Sequence, residues 1–95
     1  MKIQVEFIGL PTVSKLIGSK TISVDFADKT VDELIKHITK RYGKKVRDFL
    51  LDETGNLDMT FQVLLNGSEW ISRKDINRPL IEGDNVRIIM LAGGG

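Results

Sequence analysis

Ile3, Val5 and Phe7 alternate with Lys2, Gln4 and Glu6 in "KIQVEFI". Period two over this length predicts a strand with one face buried and one face open. "KTISVDFA" repeats the pattern, placing Ile22, Val24 and Phe26 inward and Thr21, Ser23 and Asp25 outward. Between them, "GLPTVSKLIGS" carries Gly9, Pro11, Gly18 and Ser19 and reads as a hairpin connection longer than a two-residue turn. The period then changes. In "KTVDELIKHITKRYG", Val31, Leu34, Ile35, Ile38 and Tyr42 recur at helical spacing and form one apolar stripe. Thr30 followed by Glu33 predicts a capping box, Lys40 and Arg41 suit the negative end of the helix dipole, and Gly43 is placed to end the helix.

From Lys44 to Met59 the pattern is irregular. Val46, Phe49 and Leu50 fit one more helical turn, and "DETGN" reads as a turn. "TFQVLLNGSEWIS" predicts two short strands around Asn66-Gly67, a dipeptide that readily takes the positive φ angles of a tight hairpin. Pro79 and Gly83 mark another turn, and "NVRIIML" predicts a last strand with Val86, Ile88 and Met90 on one face. Two hairpins and one main helix predict an α+β fold. The simplest arrangement is a β-grasp roll, a mixed sheet of four to five strands with the first and last strands parallel at its centre. By strand parity Ile8, Leu64, Ile89 and Leu91 point to the face away from the helix, where apolar residues suit a docking partner. Residues 1–91 read as the domain and 92–95, "AGGG", as a flexible glycine tail.

Composition narrows the chemistry. Fourteen Lys and Arg against thirteen Asp and Glu leave the chain almost neutral, which disfavours a dedicated nucleic-acid binder. With no cysteine, there is no side-chain thiol for catalysis, disulfides or metal thiolate sites. The opening "MKIQVEFIG" lacks the continuous apolar core of a signal peptide, so the chain reads as cytoplasmic, with no membrane partner. His37, the single histidine, falls on the polar side of the helix and reads as a surface residue; no metal site is expected. "DETGNLD" has its glycine at the fourth position, which misses the spacing of a calcium loop. Trp70 reads as core or edge packing under the hairpin, with partner anchoring the alternative. The run "KRYGKKVR" reads as a solvated face or a contact for an acidic partner. "AGGG" lacks the Lys-Ser/Thr of a phosphate loop, so no nucleotide cofactor is expected on this chain.

Three stretches resemble the sulfur-carrier branch of the ubiquitin-like superfamily. They are "VLLNG", "RPLIEGDNVRII" and the terminal glycines, and the order of the front half follows the same family. The branch includes the small subunit of molybdopterin synthase, the thiamine-pathway sulfur carrier and the ubiquitin-related modifier. Where the family usually finishes in Gly-Gly, this chain has Gly93, Gly94 and Gly95. The stretch from Lys44 to Thr60 is also longer than in the shortest carriers, which leans toward the molybdopterin or ubiquitin-related-modifier type.

The resemblance implies a covalent co-substrate without turnover of its own. Gly95 would be adenylated and thiocarboxylated, with Gly94, Gly93 and Ala92 forming the tail. The implied partners are an adenylating activating enzyme that uses ATP, a sulfur donor and the large subunit of molybdopterin synthase. Carriers for tRNA thiolation or for protein conjugation are the near alternatives, and a β-grasp interaction module without tail chemistry is the distant one. Physically, glycines let a backbone thread a narrow channel where side chains would collide. Extended, "AGGG" reaches roughly 13 Å.

Overall fold

β1 (Lys2–Ile8) buries Ile3, Val5 and Phe7 and leaves Lys2, Gln4 and Ile8 exposed, as its alternation requires. It belongs to a computed structural model in which residues 1–27 and 29–90 are described. β2 (Thr21–Asp25) pairs antiparallel with β1, setting Ile3 opposite Val24 and Val5 opposite Ile22. On the other side of β1 lies β5 (Asn85–Met90), parallel, with Val5 opposite Val86 and Phe7 opposite Ile88. β3 (Phe61–Leu65) pairs antiparallel with β5, and β4 (Glu69–Ile71) closes the edge. The five-stranded order β2-β1-β5-β3-β4 places the first and last strands together at the centre, the β-grasp arrangement that the element order predicts.

α2 (Val31–Tyr42) is the main helix. Val31, Leu34, Ile35 and Ile38 are fully or almost fully buried and belong to a single core with Val5, Val24, Val63, Val86 and Ile88 from the sheet. Its start is fixed by Thr30, whose hydroxyl oxygen accepts from the N–H of Glu33 at 3.2 Å. The returning bond differs from the predicted box. The Glu33 carboxylate accepts from the Lys29 N–H at 3.3 Å and from the Thr30 hydroxyl at 3.0 Å, so the backbone donor it satisfies lies one residue earlier. Gly43 ends the helix at φ +93° and its carbonyl opens α3 (Lys44–Leu50), accepting from Arg47 N–H at 3.1 Å. The left-handed region that φ enters is nearly free to glycine and costly to other residues, so one glycine can separate two helices. The predicted further turn is therefore a seven-residue helix with Val46 and Leu50 buried.

The link after β1 corrects the hairpin expectation. Pro11–Ile17 forms a short helix, α1, with Pro11 in its first turn, Gly18 as a left-handed cap at φ +94°, and Val13 buried. Proline near the start and glycine after the end are the terminal signals of a helix. A seven-residue helix is marginal alone, and burial of Val13 and Leu10 in the common core is what holds it. A second correction concerns Met90. It shares the core-side parity of Val86 and Ile88, but at the strand's end it is left exposed.

Asn66 and Gly67 turn β3 into β4 with φ of +52° and +74°, as predicted. The turn is also tied to a distant segment. Asn66 Nδ2 donates to Oδ1 of buried Asp84 at 2.9 Å, and Asn66 Oδ1 accepts from the Asn85 N–H at 2.8 Å. The second Asp84 oxygen accepts from the Ile81 N–H at 2.8 Å. Each polar atom of the buried carboxylate is thereby satisfied, which removes a penalty of about 1–3 kcal/mol per unpaired group.

Candidate functional site

Among the described residues, the α-helices and the buried apolar residues pack on one face of the sheet, and the opposite face carries exposed and half-buried side chains. Register places the predicted docking residues on that open face. Ile8 stands directly beside Ile89 across the parallel pair, and Leu64 lies diagonally from Ile89 on β3. Ile8 is exposed, whereas Leu64 and Ile89 are half-buried. Leu91 and the tail residues Ala92, Gly93, Gly94 and Gly95 lie outside the described residues.

Trp70 enlarges this patch, and it corrects the packing expectation. It sits opposite Leu64 on the edge strand and is 58% exposed, so its ring is not part of the core. The signal was available in the parity of the hairpin, since a residue opposite an outward Leu64 must itself face outward. The apolar band runs from Trp70 through Leu64 and Ile89 to Ile8, ending one residue from Met90, where the description of β5 stops. Polar groups flank it. Arg87, beside Leu64, forms an ion pair with Glu6 at 3.5 Å, and Asn85 Nδ2 donates to Glu6 at 2.9 Å. Asn85 Oδ1 is buried without a hydrogen-bond partner among the described residues. An apolar band with a polar margin is the composition of a protein-docking surface.

A groove of about 600 Å³ opens beside β4, with Met59, Trp70 and Ile76 among its walls. Its one arginine, Arg73, donates to the Leu57 carbonyl at 2.8 Å and pairs with Asp52 at 3.4 Å, so it holds the loop in place. The "DETGN" segment is the expected turn. Asp52 Oδ1 accepts from Thr54 Oγ1, Thr54 N–H and Asn56 N–H, and the Thr54 hydroxyl and Asn56 N–H hold its carboxyl below the usual aspartate value. Nearby, bonds from the Thr60 N–H and hydroxyl lower Asp58 in the same way. These oxygens face backbone donors, and among the described residues no three His, Asp or Glu groups converge to hold a metal. His37 is half-buried, with its ring 5.7 Å from that of Phe26, which places it closer to the core than its polar-side position predicts. Among the described residues, no helix is long and apolar enough to cross a membrane.

No family model matches the chain, and no curated protein matches its sequence. Its structure is similar to that of SAMP1 from Haloferax volcanii, with a TM-score of 0.80 and 18% identity, covering 100% of both chains. It is similar to Urm1 from Trypanosoma brucei, with a TM-score of 0.73 and 26% identity, over 99% of this chain and 95% of that one. It also resembles a putative molybdopterin converting factor, subunit 1, from Pyrococcus furiosus, with a TM-score of 0.69 and 20% identity, over 95% and 97% of the two chains. The β-grasp fold is common to all of them. The likeness to Urm1, at 26% identity, supports the ubiquitin-like resemblance drawn from the sequence, and the other two share the fold.

Proposed function

We propose that this ubiquitin-like chain is a sulfur carrier whose reacting group is a main-chain carboxyl in its glycine run. The observation that carries the reading is the course of β5. A central strand of a β-grasp sheet, with Ile89 in the apolar band, is followed in sequence by Leu91, Ala92 and three glycines. In this reading the acyl group is the carboxyl of Gly95, or that of Gly94 after loss of the last residue. A free carboxylate is a poor electrophile. An activating enzyme couples it to the α-phosphate of ATP, releasing pyrophosphate, and a sulfide-level donor then attacks the acyl carbon and displaces AMP. One oxygen is replaced by sulfur, and the folded body remains a handle that presents the tail. The absence of cysteine suits this chemistry, because the sulfur travels on the backbone and meets no competing thiol on the same chain.

For the acceptor, we favour the large subunit of molybdopterin synthase, in keeping with the likeness to a molybdopterin converting factor. The higher TM-scores to SAMP1 and Urm1 support a second acceptor class, in which the carrier serves tRNA thiolation or becomes attached to protein lysines. The shared chemistry is tested by intact mass after incubation with a competent activating enzyme, ATP and sulfide. The expected gain is about 16 Da at the C-terminal peptide, and an unchanged mass with every such enzyme overturns the reading.

Docking is tested separately. Replacing both Ile8 and Trp70 by alanine is expected to weaken binding to the activating enzyme by about tenfold or more, since a few residues, tryptophan prominent among them, carry most interface energy. Calorimetric titration reads the affinity, and an unchanged circular dichroism spectrum shows that the fold is kept. Wild-type affinity in the double variant would move the interface off this face.

A further inference from the structure

Charge is distributed unevenly along this nearly neutral chain. Residues 36–47 hold six of its fourteen Lys and Arg side chains and no acid, leaving eight cations against thirteen acids elsewhere, a net −5. Folding places three of these six, Lys36, Lys40 and Arg47, around one concave surface. A shallow cleft of about 580 Å³ lies between α2 and the segment around Gly55, and Lys36, His37, Lys40 and Arg47 contribute to its walls. Lys36 is paired with Asp32 at 2.9 Å, but Lys40 and Arg47 have no ion-pair partner among the described residues. The one acid in the lining, Glu33, is engaged at the helix start by the Lys29 N–H and the Thr30 hydroxyl.

The position of α3 adds a direction. The Phe49 ring packs 5.9 Å from that of Phe61, and Phe61 is the strand partner of Met90. Phe49 thus lies near the Met90 end of the sheet, whereas His37 in the cleft has its ring 5.7 Å from that of Phe26, which is hydrogen-bonded to Met1 at the opposite end.

We infer that this cleft docks an acidic segment of a partner protein. Its cations match carboxylates, and the net −5 of the remaining chain penalises a long polyanion that would have to run across it. A nucleic acid is the poorer fit for a second reason. Tyr42, the aromatic residue of this run, is half-buried with the Arg41 guanidinium 5.3 Å from its ring centre, so its face is not free to stack on a base. Identifying the partner with the protein that receives the tail rests on the carrier reading, whereas the charge match does not.

The test uses the full chain, labelled with ¹⁵N, and an acetylated peptide of about eight glutamates as the probe, at low salt. Saturable shifts are expected at Lys36, His37, Lys40, Arg47 and Gly55, and about 0.5 M sodium chloride should remove them. The K40E/R47E variant is expected to lose about tenfold or more in affinity. K2E/K74E, with the same change in net charge away from the cleft, should keep wild-type affinity. The inference is overturned by shifts that do not saturate, by shifts centred elsewhere, or by equal losses in the two variants. A single-stranded RNA of about ten nucleotides that binds the cleft more tightly than the peptide at equal salt also overturns it. Sulfur loading has its own readout in mass, so either idea can fail while the other stands.

Discussion

Deleting Gly94 and Gly95 is expected to abolish sulfur loading and to leave the fold and its stability unchanged. The predicted loss is complete, because the acyl carbon that would carry the sulfur is placed elsewhere. The new carboxyl, on Gly93, would stand about 7 Å short of its former reach, at roughly 3.3–3.6 Å for each residue removed. Reacting groups must approach to about 3–3.5 Å in an activating site, so a displacement of that size is far outside tolerance. Stability is untouched because the core is built from residues between Ile3 and Ile88. Binding to the activating enzyme should also persist, since the apolar band of Ile8, Leu64, Trp70 and Ile89 is intact in the truncated chain. The measurement is intact mass after loading, with a thermal melt and a binding titration on the same sample. A truncated chain that still gains about 16 Da would place the reacting group elsewhere.

Leu34→Ala is expected to be strongly destabilising. The side chain is wholly buried at the centre of the α2 stripe, within the core shared by the sheet and the other helices. Removing it costs the transfer energy of three carbons plus that of the cavity they leave, about 2–5 kcal/mol together. A small domain is stable by roughly 5–15 kcal/mol, so a large part of the whole is lost. In urea the midpoint should fall by about 1–3 M with little change in slope. Leu64→Ala is the internal comparison. It removes the same atoms from the open face, where Leu64 is only half-buried, and should cost about 1 kcal/mol or less. Equal losses in the two variants would contradict the assignment of one covered and one open sheet face.

The local elements were legible wherever a pattern repeated within a few residues. Alternation marked β1, helical spacing and Thr30 marked α2, and Asn66-Gly67 marked the β3–β4 turn. These signals act between neighbours along the chain, so they survive without knowledge of the fold. α1 carried its own signs in Pro11 and Gly18, but seven residues with one buried side chain give a periodicity too short to outweigh the turn formers around it. Trp70 faces outward opposite Leu64, a position the parity of the hairpin already implies and a reading of tryptophan as a packing residue overlooks.

The sequence by itself therefore determined the strands, the main helix, their order, the inward and outward parity of the strands, and the glycine run that any tail chemistry would use. Tertiary structure decided which strands lie side by side, so that Ile8 meets Ile89 from the far end of the chain, and Asn66 reaches Asp84. It also gathered Lys36, Lys40 and Arg47 around one cleft. The physical reason is that periodicity reports only the direction of each side chain from its own backbone. What that side chain meets depends on long-range packing, which joins segments with no common pattern.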